Sequence, residues 1–396
     1  MKVLYISSLV SDRLFEDFVA KSQTTGFVGQ KYHGLFARGL AENLGVNSVT
    51  VLSRPPVSVN FFRLKDFEEG VLYRYIPIIN ICFIKQLFSF IYSFIYTIYW
   101  AIKNRGEKKV IVCSIMRLYQ YIPVHLASLF FPCKKVTVAC DVPWLTIVQV
   151  SGATKALSLK DRISIWLSKK LCSIFDFYVL LTEPMSTVLN PNRKPYIVVE
   201  GFCDVKMEKV VNELDHKDEK NVIMYAGGLN AAYGILNLVE AVKRLNSQNV
   251  ELWLFGNGDV EVQLNKESDP RIKYFGSRSN KEIVKAELEA TLLINPRPTI
   301  CEYTHYSFPS KTLEYMASGT YTLTTRLAGI PTEYYDYCGV IEDSSVEGIQ
   351  QAIEKSLMLG RKELYDRGKK GRIFVLKEKN NMVQTAKVIE FINKFE

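Results

Sequence analysis

The stretch at residues 221–228, NVIMYAGG, is a run of apolar residues that ends in two glycines. Valine, isoleucine and tyrosine favour a buried strand, and glycine after a strand allows another group to approach the backbone closely. Similar runs recur along the chain, separated by segments with the apolar periodicity of helices. Because such alternation is typical of a parallel sheet covered on both faces, we predict an α/β fold.

The apolar runs fall into two series, and the charged stretch at residues 209–221, KVVNELDHKDEKN, lies between them. The first series is KVLYIS (2–7), SVTVLS (48–53), VLYRYIP (71–77), KVIVCSI (109–115), KVTVAC (135–140), FYVLLT (177–182) and YIVVEG (196–201). The second is NVIMYAGG (221–228), VELWLFGNG (250–258), RIKYFGS (271–277), ATLLINPR (290–297) and TYTLTTR (320–326).

The length of 396 residues suits two domains of ordinary size. We therefore predict two doubly wound, Rossmann-like domains that face each other across a cleft, at residues 1–204 and 205–375. The last segment, residues 376–396, has helical periodicity with no strand after it. We predict a terminal helix there that packs back against the first domain.

The net charge of +9 is concentrated in the first half of the chain. Residues 1–200 contain 24 Lys and Arg against 13 Asp and Glu, or +11, whereas residues 201–396 contain 26 against 28, or −2. Such asymmetry indicates that the first half meets an anionic partner: lipid headgroups, a polyphosphate-linked acceptor or nucleic acid. Ordinary solvated lysines are the alternative explanation.

The cysteines and the N-terminus both suggest a cytoplasmic protein. The N-terminal apolar run is too short for a signal peptide and is predicted to be a buried strand. The chain contains no CxxC pair, and several cysteines lie in strand-like apolar runs, as expected of reduced thiols. The eight cysteines are at positions 82, 113, 133, 140, 172, 203, 301 and 338.

Residues 87–102, LFSFIYSFIYTIYWAI, contain no charged side chain. As a helix the segment would be roughly 24 Å long, which is short of the roughly 30 Å hydrocarbon core of a bilayer. Small residues recur at every fourth position, which would allow close packing on one side. Two interpretations remain: a buried helix, or an aromatic face in a membrane interface. Lys103, Arg105, Lys108 and Lys109 would then meet the headgroups.

Several enzyme classes lack their signatures in this chain. The sequence contains no GxGxxG fingerprint, no GxxxxGK[ST] loop, no GxSxG elbow and no DxD pair. The four histidines, at positions 33, 125, 216 and 305, form no metal-ligand spacing. Nicotinamide enzymes, P-loop ATPases, serine hydrolases and metalloenzymes are therefore disfavoured.

The remaining motifs resemble those of a known family. The chain is similar to glycosyltransferases of the GT-B fold, close to the retaining family 4 group and its bacterial capsule and exopolysaccharide members. The segment YIVVEGFCD, which ends at Asp204, resembles the junction between the two domains of that family. The motifs that carry the resemblance are MYAGGLNAAYGILNLVEAV (224–242), LWLFGNGD (252–259), LLINPRPT (292–299), YSFPSKTLEYMASG (306–319) and RLAGIPTEYYDY (326–337).

The resemblance implies a nucleotide-sugar donor site in the second domain. Glu314 occupies the place of the family's second motif glutamate, which accepts hydrogen bonds from the ribose. Ser310 and the backbone from Phe308 onward would approach the phosphates at a helix start. Lys311 and Arg297 are the candidates to neutralise the charge of the leaving diphosphate.

Two departures from the family pattern concern the same site. The family's first motif glutamate lies eight positions before the second, where this chain has Tyr306, so the contact with the sugar is altered. The family also places an arginine and a lysine in the loop after the first strand of the second domain. Gly228 and Tyr233 stand at those places in this chain.

In the first domain, the resemblance singles out two places. The glycine-containing stretch GFVGQKYHG (26–34) fits the family's loop toward the donor, with Gly29 as the donor-side candidate. Lys31 and His33 are candidate acceptor contacts, although an ordinary helix histidine is the alternative for His33. Asp141, at the end of VTVACDVPW, could orient the acceptor hydroxyl as a catalytic residue or could cap a local structure.

The resemblance implies transfer of a hexose, with retention and without a metal or cofactor, from a nucleotide-diphosphate sugar to a glycan or lipid-linked acceptor. The expected place is the cytoplasm, peripherally on the inner face of the cell membrane, and we expect no nucleic-acid partner. The alternative is a degenerate GT-B domain that binds a partner without catalysis. An epimerase is disfavoured, because only Asp141 and Glu302 could supply its acid and base.

Overall fold

A computed structural model describes residues 1–23, 29–145, 158–299 and 302–395. The chain forms two compact units: Met1–Glu200 together with Asn381–Glu396, and Gly201–Asn380. The predicted domain divisions, after residues 204 and 375, differ from these limits by four and five residues. Among the described residues, no helix is long and apolar enough to cross a membrane.

The first unit is an eight-stranded sheet covered by helices. Its strands are Lys2–Ser7 (β1), Val49–Ser53 (β2), Lys65–Glu68 (β3), Val71–Tyr75 (β4), Lys109–Ser114 (β5), Lys134–Ala139 (β6), Phe177–Leu180 (β7) and Tyr196–Val198 (β8). Its helices are Asp12–Ala20 (α1), Gln30–Leu44 (α2), Cys82–Lys103 (α3), Leu118–Ser128 (α4), Leu159–Cys172 (α5), Met185–Leu189 (α6) and, near the C-terminus, Asn381–Lys394 (α14).

The strand order in the first unit is β3-β4-β2-β1-β5-β6-β7-β8. All neighbours are parallel except β3, which pairs antiparallel with β4 at the edge. Right-handed crossovers place α2 on one face, and place α3, α4 and α5 together on the opposite face. The terminal helix α14 packs against α2. A side chain at Gly39 would lie 2.3 Å from the carbonyl oxygen of Asn381, so this close approach requires glycine.

Helix α3 contains the uncharged segment and is buried along one narrow side only. The small side chains of Ser89, Ser93, Thr97 and Ala101 are at most 7% exposed, and α3 packs against α4. Eight large apolar side chains of the same helix remain 38–66% exposed: Ile84, Leu87, Phe88, Phe90, Ile91, Ile95, Tyr99 and Ile102. The segment is thus neither wholly buried nor long enough to span a bilayer.

The second unit is a six-stranded, all-parallel sheet. Its strands are Asn221–Ala226 (β9), Val250–Phe255 (β10), Ile272–Tyr274 (β11), Leu292–Asn295 (β12), Tyr321–Thr325 (β13) and Gly339–Ile341 (β14). Its helices are Ile235–Lys243 (α7), Glu261–Leu264 (α8), Asn280–Glu289 (α9), Glu302–His305 (α10), Ser310–Ser318 (α11), Val346–Leu357 (α12) and Gly360–Glu378 (α13).

The strand order in the second unit is β11-β10-β9-β12-β13-β14. Strands β10 and β11 are added on one side of β9 and strands β12 to β14 on the other, so the strand order reverses between β9 and β12. Burial explains the strand composition, because β9, β12 and β13 are apolar or threonine-rich and are covered on both faces. In open α/β sheets ligands bind at the carboxyl ends of the strands where the order reverses. A ligand is therefore expected at the carboxyl ends of β9 and β12.

Candidate active site

Three loops at the carboxyl ends of β9, β10 and β12 pack backbone against backbone. A side chain at Gly234, whose φ is +79°, would lie 2.3 Å from the Pro296 carbonyl oxygen. A side chain at Gly256 would lie 1.8 Å from the Gly227 oxygen, and one at Gly258 would lie 2.0 Å from the Leu229 oxygen. The glycines noted in the sequence thus allow these loops to form one continuous surface at the point of reversal.

Helix α11 is fixed to the carboxyl ends of β9 and β12. The Tyr315 hydroxyl accepts a 2.7 Å hydrogen bond from the Ala226 amide and donates a 3.1 Å bond to the Ala226 carbonyl, at the last residue of β9. The Asn295 amide, at the end of β12, donates to the Thr312 hydroxyl at 3.4 Å. These buried contacts hold the first turns of α11, and therefore Lys311 and Glu314, beside the switch point.

Lys311 and Glu314 form an ion pair with 2.8 Å between Nζ and Oε2. Their side chains are 33% and 14% exposed, so the pair is partly shielded from water. Burial by itself lowers the pKa of the Lys311 amine, but the Glu314 carboxylate, and to a lesser degree Glu287, raise that pKa above its ordinary value. Lys311 therefore stays charged, and it also restricts the Glu314 side chain to one orientation.

The loop before α11 contains two further polar groups. Ser310, the first residue of α11, is exposed, and Tyr306 is half-buried with its ring edge-on to His305 at 5.1 Å between centroids. The Ser307 hydroxyl oxygen is buried and has no hydrogen-bond partner within the described parts of the chain. A polar ligand at this loop would satisfy it.

Arg297 follows β12 and lies over the ring of Tyr233, with 4.6 Å between its guanidinium carbon and the ring centroid. The edge of the same ring lies beside Gly228, where an added side chain would be 3.1 Å from Tyr233 Cε2. Tyr225 donates a 3.0 Å hydrogen bond to the Gly228 carbonyl and fixes the loop. The structure thus brings Gly228, Tyr233 and Arg297 into one contiguous group.

In the first unit, the candidates lie in different surroundings. Asp141 follows β6 and is exposed. Gly29 precedes α2 with φ −76°, and Lys31 is exposed on the first turn of α2. Residues 26–28 of the predicted glycine loop lie outside the described residues. Each of these three site assignments stays a prediction.

His33 is only 3% exposed and lies within the core of the first unit. Its Nδ1 is hydrogen-bonded to the Tyr5 hydroxyl, and the Tyr5 and Tyr32 rings lie edge-on to it. Burial and, secondarily, Arg117 lower the pKa of His33 to about 3, so the ring is neutral. This burial disfavours His33 as an acceptor contact and supports the alternative, an ordinary helix histidine.

Of two contacts at the site, one is not visible in the sequence and the other is. The stacking of Arg297 on Tyr233 joins residues 64 positions apart, because β12 pairs with β9. The pairing of Lys311 with Glu314 has an available signal, since residues three apart share a helix face. Within the described parts of the chain, no group of three or more His, Cys, Asp or Glu could hold a metal ion.

Comparison with known proteins agrees with this geometry. Residues 220–358 match the family described as Glycosyl transferases group 1. An 86-residue stretch is 26% identical to the putative colanic acid biosynthesis glycosyl transferase WcaI of Escherichia coli (strain K12). That stretch covers 22% of this chain and 21% of the relative, so it spans about a fifth of the relative's length.

Several solved structures are similar over the whole chain. Sucrose-phosphate synthase from Thermosynechococcus elongatus has a TM-score of 0.73 at 12% identity, covering 100% of this chain and 99% of its own. HepE from Anabaena, in complex with UDP, has a TM-score of 0.64 at 11% identity, covering 100% of both chains. The chain therefore has the GT-B fold, and the stretch that matches the glycosyl transferases group 1 model lies within its Gly201–Asn380 unit.

Proposed function

We propose that this protein is a glycosyltransferase that moves a hexose from a nucleotide-diphosphate sugar to a glycan or lipid-linked acceptor in bacterial surface polysaccharide synthesis. The observation that carries the proposal is the match of residues 220–358 to the group 1 glycosyltransferases, which encloses the β9 and β12 loops and the Lys311–Glu314 pair. HepE, one of the similar structures, was solved with UDP and with UDP-glucose, so UDP-hexoses are the first donors to test.

The candidate site residues of the second unit each have a chemical role in the proposed reaction. Glu314, held by Lys311, would accept hydrogen bonds from both ribose hydroxyls. The exposed Ser310 and the start of α11 would approach the diphosphate. Tyr306 would donate to or accept from a sugar hydroxyl where the family has a glutamate. A cation near the β9 and β12 ends would stabilise the charge on the leaving diphosphate.

Asp141 is the candidate in the first unit to orient the acceptor hydroxyl, which fits its exposed position after β6. In a retaining reaction the leaving phosphate can take the acceptor proton itself. Asp141 would then position the acceptor rather than remove its proton. Retention, metal independence and the identity of the acceptor are parts of the proposal and rest on the family resemblance.

A lipid-linked acceptor would bring the enzyme to the inner face of the membrane, and the helices of the first unit fit such a surface. Besides the exposed apolar side of α3, α5 exposes Leu159, Ile163 and Trp166 by 75%, 55% and 61%. Lys169 and Lys170 lie in its last turn. A basic helix with an exposed apolar side is suited to an anionic membrane surface.

The activity is tested by incubating the protein with UDP-, GDP- and dTDP-sugars and measuring nucleotide release and donor binding. We expect one donor to bind and to release its nucleotide when a membrane extract supplies acceptor. Glu314→Ala should lower donor affinity by about 10–100-fold, because the ribose loses a charged hydrogen-bond acceptor. Glu289→Ala, which removes a 38% exposed carboxylate at the end of α9, is the matched control.

Two other outcomes would change the conclusion. Donor binding without transfer to any acceptor would favour the non-catalytic binding partner, which the departures at Gly228, Tyr233 and Tyr306 make a real alternative. If neither the wild type nor the variant bound any of the nucleotide sugars, the transferase proposal would be rejected.

A further inference from the structure

Arg297 is the cation best placed to meet a ligand at the switch point of the second unit. The loop after β9, GGLNAAYG (227–234), and the loop after β10, GNGDV (256–260), contain no lysine or arginine. The loop after β12 supplies Arg297, and the loop after β13 supplies Arg326. Arg326 already holds both oxygens of Glu342, at 3.1 and 3.0 Å.

Lys311, the other candidate, is already occupied. Its amine lies 2.8 Å from Glu314, and this carboxylate keeps it charged. A phosphate that took the Lys311 amine would have to compete with the Glu314 carboxylate in a partly shielded site. By contrast, within the described residues no carboxylate forms an ion pair with Arg297. Of the three cations Arg297, Arg326 and Lys311, the one that no carboxylate neutralises within the described residues is therefore Arg297.

The Tyr233 ring holds Arg297 in place. A guanidinium 4.6 Å from a ring centroid is within the range of a cation–π contact, which restricts the side chain but leaves its N–H groups available at the edge of the plane. The edge of the ring lies against Gly228, and the backbone that follows the tyrosine is fixed because Gly234 lies against Pro296. The arginine is thus pre-ordered over the loop after β9.

We propose that Arg297, positioned by Tyr233, binds the diphosphate of the donor, and that Lys311 acts as a positioning residue for Glu314. This inference rests on the proposed function and divides the roles within the same site. The loop after β9 has Gly228 and Tyr233 where the family has an arginine and a lysine, so it carries no cation of its own. Tyr233 instead holds a cation, Arg297, that comes from the loop after β12.

The test compares a nucleoside diphosphate with its nucleoside, since only the first has the diphosphate. Binding of UDP and of uridine, and if UDP does not bind, of GDP and guanosine or dTDP and thymidine, is measured by calorimetry. Arg297→Gln should weaken UDP binding by about 10–100-fold and leave uridine binding unchanged. Lys311→Gln should weaken both ligands by the same factor, because it acts through the ribose contact of Glu314.

Three variants complete the design. Arg297→Lys keeps the charge but loses the stacked, forked geometry, so it should retain an intermediate UDP affinity. Tyr233→Leu should weaken UDP and not uridine, by a smaller factor than Arg297→Gln. Arg326→Gln removes a cation that is already paired after the neighbouring strand, and it should leave both affinities unchanged.

The outcomes separate the two proposals. If Arg297→Gln binds UDP as the wild type does, or if Lys311→Gln weakens UDP alone, the assignment of roles is wrong while the donor site stands. If the wild type binds none of the nucleoside diphosphates, the proposed function itself fails. Circular dichroism of each variant distinguishes a lost contact from a lost fold.

Discussion

Lys217 is a residue whose amine lies largely inside the second unit. Its Nζ donates a 2.6 Å hydrogen bond to the Thr320 hydroxyl, and Thr320 in turn donates to the Glu287 carbonyl at 2.6 Å. Burial and, secondarily, the positive charge of Arg361 lower the pKa of Lys217 from 10.5 to about 7. Since no carboxylate of the described ranges pairs with it, a lysine at such a place is a source of instability rather than of binding.

We therefore expect Lys217→Met to stabilise the protein by about 1–2 kcal/mol at pH 7, and to do so more at lower pH than at higher pH. The folded pKa lies below the unfolded one, so between pH 7 and about 10 the unfolded chain holds a proton that the folded chain has released. Stability consequently increases with pH across this window, and below pH 7 the full cost of the buried charge persists.

Denaturant unfolding at pH 6, 7, 8 and 9, followed by tryptophan fluorescence, measures this effect. The variant should lose part of the pH dependence that the wild type shows above pH 7. Lys370→Met, which changes an exposed lysine on α13, is the matched control and should keep the wild-type slope. A Lys217→Met protein that is less stable at every pH would show that the hydrogen bond to Thr320 outweighs the burial of the charge.

At the scale of single elements, Gly234 shows how a turn positions the site. It precedes α7 in a left-handed conformation with φ +79°, and its α-carbon faces the Pro296 carbonyl. Both constraints require glycine, since a side chain adds strain from φ and a clash with backbone. The loop that carries Tyr233 and the loop that carries Arg297 are therefore joined through one residue without a side chain.

We expect Gly234→Ala to destabilise the protein by about 2–4 kcal/mol and to weaken UDP binding, because the two loops must separate. Gly276→Ala is a close control: its φ is +67°, and nothing lies within 4 Å of the added carbon. The free energy of unfolding of Gly276→Ala should fall by only about 1 kcal/mol, which is the cost of placing alanine at a positive φ. Thermal unfolding of both variants measures the difference, and equal losses would show that the approach to Pro296 imposes no constraint.

The elements were predictable from the sequence to the extent that burial determines their composition. Each of the twelve apolar runs contains a strand, and the α/β class and the GT-B fold are confirmed. The strands β3, KDFE, and β14, GVI, were not predicted, because both are sheet-edge strands and the first is mostly charged. An edge strand is buried less and so leaves little apolar pattern.

The candidate site was predictable only where its residues are near in sequence. Lys311 and Glu314 lie three apart on one helix, whereas the contact of Arg297 with Tyr233 depends on the order of the strands. His33 is a residue for which the sequence suggested a site contact and the structure shows burial. Its type and its place after a glycine loop suggested an acceptor contact, but the β1 and α2 packing that buries it against Tyr5 leaves no sign in the sequence.

For the whole molecule, the distribution of charge and of exposed apolar surface indicates where an anionic membrane would bind. Residues 1–200 carry +11 and residues 201–396 carry −2. The helices α3, α4 and α5, which share one face of the first sheet, together contain six Lys and Arg and a single acidic residue, Asp161. Two copies of such a face would repel each other, which favours an anionic bilayer over self-association as its partner.

We expect the protein to float with vesicles that contain phosphatidylserine and to bind much less to phosphatidylcholine vesicles. Raising the salt from 0.1 M to 1 M shortens the screening length from about 10 Å to about 3 Å and should release most of the protein.

Trp166→Ser should lower partitioning by about tenfold or more, because a large apolar side chain no longer enters the interface. Met358→Ser, which removes an 84% exposed apolar side chain from the second unit, should have no effect. Equal binding to both lipids at all salt concentrations would contradict the electrostatic part, and a concentration-dependent dimer without flotation would assign the face to a second copy of the chain.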